Sequence, residues 1–185
     1  MQSRSKSLKR LIFFRNTISA CSFNLPAHSG SASIQPREWQ QHLIQLLRRR
    51  LDQLSSGSLT ADHGDILVFA GPGAGKTLGA LLGFSSMRRD GHLDQFVVFC
   101  HRTSILEQWK QAASGLGLRL EEWPCTAAAA KAADGLLVTY QGAGRQLKPL
   151  QEQLGQLQAD RCMAIADEAH PVSYTHLTLP TTSPV

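Results

Sequence analysis

Short apolar runs alternate with longer amphipathic stretches along this chain of 185 residues. Unbroken apolar runs bounded by turn residues predict strands that are buried on both faces of a sheet. The strands predicted around such runs occupy residues 66–70, 96–100, 135–140 and 162–167, and a further strand is predicted at 118–123. Stretches with apolar residues at intervals of three and four positions predict amphipathic helices. These occupy residues 37–54, 77–89, 103–114 and 145–158, and residues 127–134 are predicted as a helical or loop segment.

The order of these elements predicts the fold class. Strands that alternate with helices form a mostly parallel sheet with helices on both faces, because each parallel strand needs a crossover connection back to the same sheet edge. The apolar fraction of 42% is sufficient for a hydrophobic core. We therefore expect one α/β domain.

Positive charge is concentrated at the N-terminus. Residues 1–37 carry six of the 19 Lys and Arg residues and no acid, so the rest of the chain holds 13 basic and 14 acidic residues. We predict that residues 1–35 form a basic, disordered arm, and their Arg and Ser content also fits an organellar transit peptide. No apolar run approaches 18 residues, so we expect no membrane partner. Cys100 and Cys162 lie in apolar runs, which is typical of buried, reduced thiols in a cytosolic protein, so we expect a cytoplasmic location.

The segment AGPGAGKT joins the first predicted strand to the next helix. Glycines at such a junction let backbone N–H groups face phosphate oxygens, and the helix N-terminus adds partial positive charge. Lys76 is placed to reach the terminal phosphates, and the Thr77 hydroxyl is placed to bind Mg²⁺. The alternative is a glycine turn in which Lys-Thr occurs by chance. The predicted nucleotide-binding residues are Ala70, Gly71, Pro72, Gly73, Ala74, Gly75, Lys76 and Thr77.

The segment IADEAH ends the last predicted strand, 90 residues after Thr77. Ligands of open α/β sheets bind beyond the carboxyl ends of the strands, which is where Asp167 and Glu168 are expected. Asp167 would bind Mg²⁺ through water, and Glu168 would orient and deprotonate the attacking water molecule. Without the phosphate loop, an exposed acidic turn would be the simpler interpretation.

Residues 36–170 resemble the first RecA-like domain of a superfamily 2 DEAD/DEAH-box helicase. The resemblance is strongest to the branch of type III restriction helicase subunits and UvrB-like and XPB-like translocases. It rests on AGPGAGKT and DEAH, and on the weaker segments PREWQQHLIQLL, CHRTSILEQW and LLVTYQ. The last two segments contain Trp109 and Tyr140, which we expect to be core residues rather than stacking platforms.

The resemblance implies roles for residues outside the phosphate loop, with ATP and Mg²⁺ as cofactors. Gln40 corresponds to the residue that reads adenine. Arg102 and Thr103, with Thr139 behind them, correspond to residues that contact the sugar-phosphate backbone of a bound strand. Arg102 could equally be a solvated residue at the start of a helix. His170 corresponds to a residue that couples the nucleotide site to later motifs.

The implied function is that of an ATP-dependent helicase or translocase on nucleic acid, with DNA favoured and RNA possible. The resemblance also implies a second RecA-like domain in cis, which closes the cleft and supplies arginines. Two other interpretations remain open. The chain could belong to a P-loop ATPase that remodels protein, or it could be an inactive fragment that only binds nucleotide.

Residues 171–185 show neither helical periodicity nor a motif of the implied family. Reverse translation of residues 172–181 resembles an adapter of transposase-based sequencing libraries, so we expect a non-native, disordered tail; a genuine Pro- and Thr-rich tail is the alternative. In the implied topology, a strand that follows residue 170 separates the strands at 66–70 and 162–167. We therefore expect these two strands to flank a gap or to pair directly, within an incomplete RecA-like domain.

Overall fold

A computed structural model of the chain describes residues 10–15, 34–58, 65–156 and 161–167. Six strands and six helices lie in these ranges. The strands are β1 (Arg10–Arg15), β2 (Ile66–Phe69), β3 (Gln95–Cys100), β4 (Leu120–Glu122), β5 (Gly135–Thr139) and β6 (Cys162–Ala166). The helices are α1 (Glu38–Ser55), α2 (Lys76–Arg89), α3 (Thr103–Ser114), α4 (Ala127–Ala132), α5 (Tyr140–Arg145) and α6 (Leu147–Gln156).

The strands form one parallel sheet in the order β2-β1-β6-β3-β5-β4. Helices cover both faces of the sheet. Successive residues of a strand point to opposite faces, so each strand contributes to the core on both sides. On one face, a core cluster joins α1, α2 and α3 to inward residues such as Phe96 and Val98. On the other face, Val97 and Phe99 pack in a second cluster with residues of α4, α5 and α6. The predicted α/β class, with a parallel sheet and helices on both faces, is confirmed.

Strand β1 occupies a position that the sequence did not predict. It lies between β2 and β6, with Ile12 in register with Ile66 on one side and with Ile165 on the other. The prediction of a disordered arm is therefore wrong for residues 10–15. The prediction that the strands at 66–70 and 162–167 flank a gap or pair directly is also wrong. A six-residue run of high β-propensity, RLIFFR, supplies the intervening ladder instead.

Strand β2 lies at the edge of the described sheet. Its residues alternate in burial, with Ile66 and Val68 in the core while Leu67 is 52% and Phe69 is 66% exposed. The prediction that this run is buried on both faces is therefore wrong for two of its four residues. The central strands β3 and β6 are buried along their whole length, as predicted.

Two features of composition are visible in the described part of the chain. Cys100 and Cys162 are buried, as the sequence predicts, whereas Cys125 is half-buried. Burial raises the pKa of the Cys162 thiol to about 12.

Among the described residues, no helix is long and apolar enough to cross a membrane.

Candidate nucleotide site and its links to the sheet

The predicted phosphate loop connects β2 to α2 at the C-terminal edge of the sheet. Gly73 and Gly75 have positive φ angles of 71° and 83°, a region that residues with a side chain rarely adopt. Helix α2 begins at Lys76, and no side chain caps its first N–H groups. An uncapped helix N-terminus next to a glycine loop offers backbone donors and partial positive charge to an anion.

The Lys76 ammonium lies across the phosphate loop. Its Nζ atom donates to the carbonyl oxygens of Ala70 at 2.9 Å and Gly71 at 3.0 Å. These contacts hold a positive charge against the loop, where the sequence predicts phosphate. Thr77 follows within the first turn of α2 and is half-buried. The donor set therefore fits the triphosphate and Mg²⁺ that the motif implies.

The start of α1 holds the other side of the loop through three donors. The Arg37 guanidinium donates to Ala74 O at 3.1 Å, and the Trp39 indole donates to the same oxygen at 3.2 Å. The Gln40 side-chain amide donates to Gly75 O at 3.0 Å. The sequence did not predict that Arg37 and Trp39 contact the loop. The only available signal was their position next to Gln40.

Gln40 is 1% exposed and both ends of its amide are engaged. Besides its bond to the loop, its Oε1 atom accepts the backbone N–H of Arg37 at 2.9 Å. Selection of adenine by Gln40 stays a prediction. What the structure shows is a residue that fastens α1 to the phosphate loop.

Close packing between α1 and α2 supports this arrangement. A Cβ atom built on Gly79 of α2 would lie 2.8 Å from the ring of Trp39, and one built on Gly75 would lie 3.0 Å from Gln40 Nε2. Real Cβ atoms do not approach a ring that closely. Glycine at position 79 therefore lets the indole reach the loop.

Asp167 follows β6 at the same edge of the sheet and is 8% exposed. Its backbone N–H donates to Phe99 O at 2.9 Å. Its Oδ2 atom accepts the indole N–H of Trp109 at 2.8 Å, and its carbonyl oxygen accepts the Tyr140 hydroxyl at 3.1 Å. Asp167 is thus held by donors on two helices, its carboxylate by Trp109 of α3 and its carbonyl oxygen by Tyr140 of α5.

The two halves of the predicted site lie on the same side of the molecule. β2 precedes the loop and β6 precedes Asp167, and one strand, β1, separates them. Two strand spacings correspond to about 10 Å between the backbones. All three strands are parallel, so both segments emerge from the same edge.

The residues predicted to contact nucleic acid lie at this edge too, beyond β6. Cys100 at the end of β3 is in register with Thr139 at the end of β5. Arg102 is an exposed N-cap residue of α3, and Thr103 is the exposed first residue of that helix. Thr139 is half-buried and caps α5, because its Oγ1 atom accepts the N–H of Gly142 at 3.0 Å.

Glu168 and His170 lie outside the described residues, so their predicted roles stay predictions. Trp109 and Tyr140 are residues whose contacts the sequence did not reveal. Trp109 is fully buried, as expected of a core residue, but a buried indole N–H requires an acceptor. That requirement was the one signal that could have pointed to a polar partner.

Residues 33–179 match the family model described as "Type III restriction enzyme, res subunit", a range that extends into the predicted tail. No curated protein matches the chain. Among solved structures, the Sulfolobus solfataricus SWI2/SNF2 ATPase core in complex with dsDNA is similar, with 16% identity and a TM-score of 0.46. That similarity covers 78% of this chain and 34% of the solved chain, so the chain spans about a third of its length.

Proposed function

The chain belongs to the type III restriction enzyme res-subunit family, and from this premise we propose that it is the N-terminal ATP-binding part of an ATP-dependent helicase or translocase. The polymer on which it would act is nucleic acid, with DNA favoured over RNA. The proposal includes a second RecA-like domain in cis, since ATP hydrolysis in such proteins uses arginines from across the cleft.

One observation carries the nucleotide part of the proposal. A glycine loop with a lysine ammonium bonded to two of its carbonyl oxygens lies at the same sheet edge as a buried, oriented aspartate. Open α/β sheets bind ligands at this edge. The loop amides and the Lys76 charge suit phosphate, while the Asp167 carboxylate suits a divalent cation.

Each of the proposed site residues has a distinct role. Lys76 would exchange its contacts with the loop carbonyls for phosphate oxygens. Thr77 and Asp167 would hold Mg²⁺, which when bound neutralises charge on the phosphates. Glu168 would orient the attacking water and accept its proton.

The nucleic-acid part of the proposal rests on the other end of the same edge. Arg102 and Thr103 are exposed where α3 begins, and a helix N-terminus together with an arginine suits a phosphate group. The chain beyond residue 37 has 13 basic and 14 acidic residues. We therefore propose that phosphate is bound locally at Arg102 and Thr103, and not by a broad basic surface. We therefore expect weak DNA binding with a shallow dependence on salt.

The test is ATP hydrolysis by the complete protein with duplex DNA, RNA or an unfolded protein added. We expect DNA to stimulate hydrolysis most. Arg102→Ala should lower the DNA affinity and reduce the slope of log affinity against log salt by about 1. The matched control is Arg89→Ala, because Arg89 is an exposed arginine in the last turn of α2, at the other end of that helix from the phosphate loop. Stimulation by unfolded protein and not by nucleic acid would contradict the proposal and favour a protein-remodelling ATPase.

A further inference from the structure

Trp109 has one polar atom, and that atom contacts the acidic residue of the candidate site. The Trp109 side chain is fully buried in the core between α3 and the sheet. Its Nε1 atom lies 2.8 Å from Asp167 Oδ2. A hydrogen bond to a carboxylate in a buried setting is strong and directional, so it restricts the rotation of the carboxylate.

Tyr140 holds the main chain of the same residue. Its hydroxyl donates to Asp167 O at 3.1 Å, while the Asp167 N–H is bonded to Phe99 O at 2.9 Å. The Tyr140 ring stacks against Phe99 with the ring centres 6.2 Å apart. Asp167 is therefore fixed at its carboxylate, its carbonyl and its amide.

Both aromatic residues belong to helices that start at the segments assigned to nucleic acid in the proposed function. Trp109 lies six residues after Thr103 on α3, a distance of about 9 Å along the helix axis. Tyr140 directly follows Thr139 and is the first residue of α5. A displacement of either helix start would move the donor that holds Asp167, because a short helix moves as a rigid element.

We propose that Trp109 and Tyr140 are positioning residues that set the Asp167 carboxylate for Mg²⁺ and transmit strand binding at Arg102, Thr103 and Thr139 to the nucleotide site. This inference rests on the proposed function and names the contacts through which nucleic acid would act on ATP. Neither aromatic side chain touches nucleotide or nucleic acid in this role.

The variants Trp109→Phe and Tyr140→Phe test the inference in the complete protein. Each keeps an aromatic ring in the core and removes the donor. The measurements are the affinity for a fluorescent ATP analogue with Mg²⁺ and with EDTA, and the ratio of ATP hydrolysis with and without duplex DNA. The control is Trp123→Phe, because Trp123 is a buried tryptophan of the second core cluster. Thermal unfolding midpoints verify that all three variants fold.

We expect Trp109→Phe to weaken Mg²⁺-dependent nucleotide binding about 10-fold, in the range for residues that orient a metal ligand, and to lower the DNA stimulation ratio. Nucleotide binding in EDTA and the Trp123→Phe control should match the wild type. Equal loss with and without Mg²⁺, or an unchanged stimulation ratio, would overturn the inference by reducing Trp109 to a packing role. A wild-type protein that binds no nucleotide would instead contradict the proposed function.

Discussion

The side-chain amide of Gln40 donates to the carbonyl oxygen of Gly75 at 3.0 Å, and this bond joins α1 to the phosphate loop inside the protein. The other end of the amide caps α1 through the Arg37 N–H. Gln40 is therefore part of the loop's support in this structure. We therefore expect a substitution of Gln40 to change nucleotide binding by altering the shape of the loop.

Gln40→Glu should weaken both the fold and nucleotide binding. The substitution removes the donor to Gly75 and places a carboxylate oxygen against a carbonyl oxygen, at a cost of roughly 1–3 kcal/mol in the free energy of unfolding. Denaturant unfolding and ATP titration measure the two effects. The control is Gln41→Glu, because Gln41 is exposed and its amide donates to Pro36 O. Equal stability and affinity in the two variants would show that the bond to Gly75 has no supporting role.

Ile12→Pro should destabilise the sheet, because Ile12 lies in register with strands on both sides. Proline removes the backbone N–H that a central strand needs for its ladder. We expect a loss of roughly 1–3 kcal/mol for a buried group left unpaired, visible as a lower thermal unfolding midpoint. Ile12→Val keeps the N–H and the β-propensity and should be nearly neutral. If proline is tolerated as well as valine, β1 does not stabilise the sheet.

The buried Cys162 thiol should make the protein less stable above pH 9. Its pKa rises from 9.0 to about 12 on folding, chiefly because burial disfavours the thiolate. Between these values the unfolded chain loses the proton and the folded chain keeps it, so rising pH favours unfolding, by at most about 1.4 kcal/mol per pH unit.

Denaturant unfolding of the wild type and Cys162→Ala at stepped pH measures this effect. The stability of Cys162→Ala should fall less steeply between pH 9 and 11. Cys125→Ala is the comparison, since that thiol is only half-buried. Identical slopes for the wild type and Cys162→Ala would mean that the Cys162 thiol does not retain its proton in the folded protein.

The sequence was sufficient for most of the sheet but not for β1. The buried runs at residues 96–100 and 162–166 are apolar without interruption, a pattern that is typical of a central strand. The run at residues 10–15 is flanked by arginines within a basic arm, and the local pattern gives no sign of its pairing with β2 and β6. Such long-range pairing depends on which strand edges lack a neighbour, and hydrophobic periodicity does not encode which strands become neighbours.

The candidate site was only partly readable from sequence, for a related reason. The loop at residues 70–77 and Asp167 belong to contiguous motifs, so local sequence identifies them. Trp109 lies 58 positions before Asp167, and its hydrogen bond exists only because β3 and β6 are adjacent. The contacts of Trp39 with the loop likewise depend on how α1 packs against α2.

Glu168→Gln should separate ATP binding from ATP turnover. The amide cannot accept the proton of the attacking water, whereas the charges that hold the phosphates remain. We expect near wild-type ATP affinity and loss of hydrolysis in single-turnover assays of the complete protein. Glu152→Gln on the exposed side of α6 is the matched control. Sustained hydrolysis by Glu168→Gln would remove Glu168 from the proposed chemistry.

The most direct measurement of the central claim compares ATP binding and hydrolysis in Lys76→Ala and Lys148→Ala. Both changes remove one lysine, but only Lys76 places its ammonium against the phosphate loop, while Lys148 is exposed on α6. The account predicts that Lys76→Ala abolishes hydrolysis and weakens ATP binding, and that Lys148→Ala leaves both at the wild-type level. ATP hydrolysis by Lys76→Ala at the wild-type rate would contradict it.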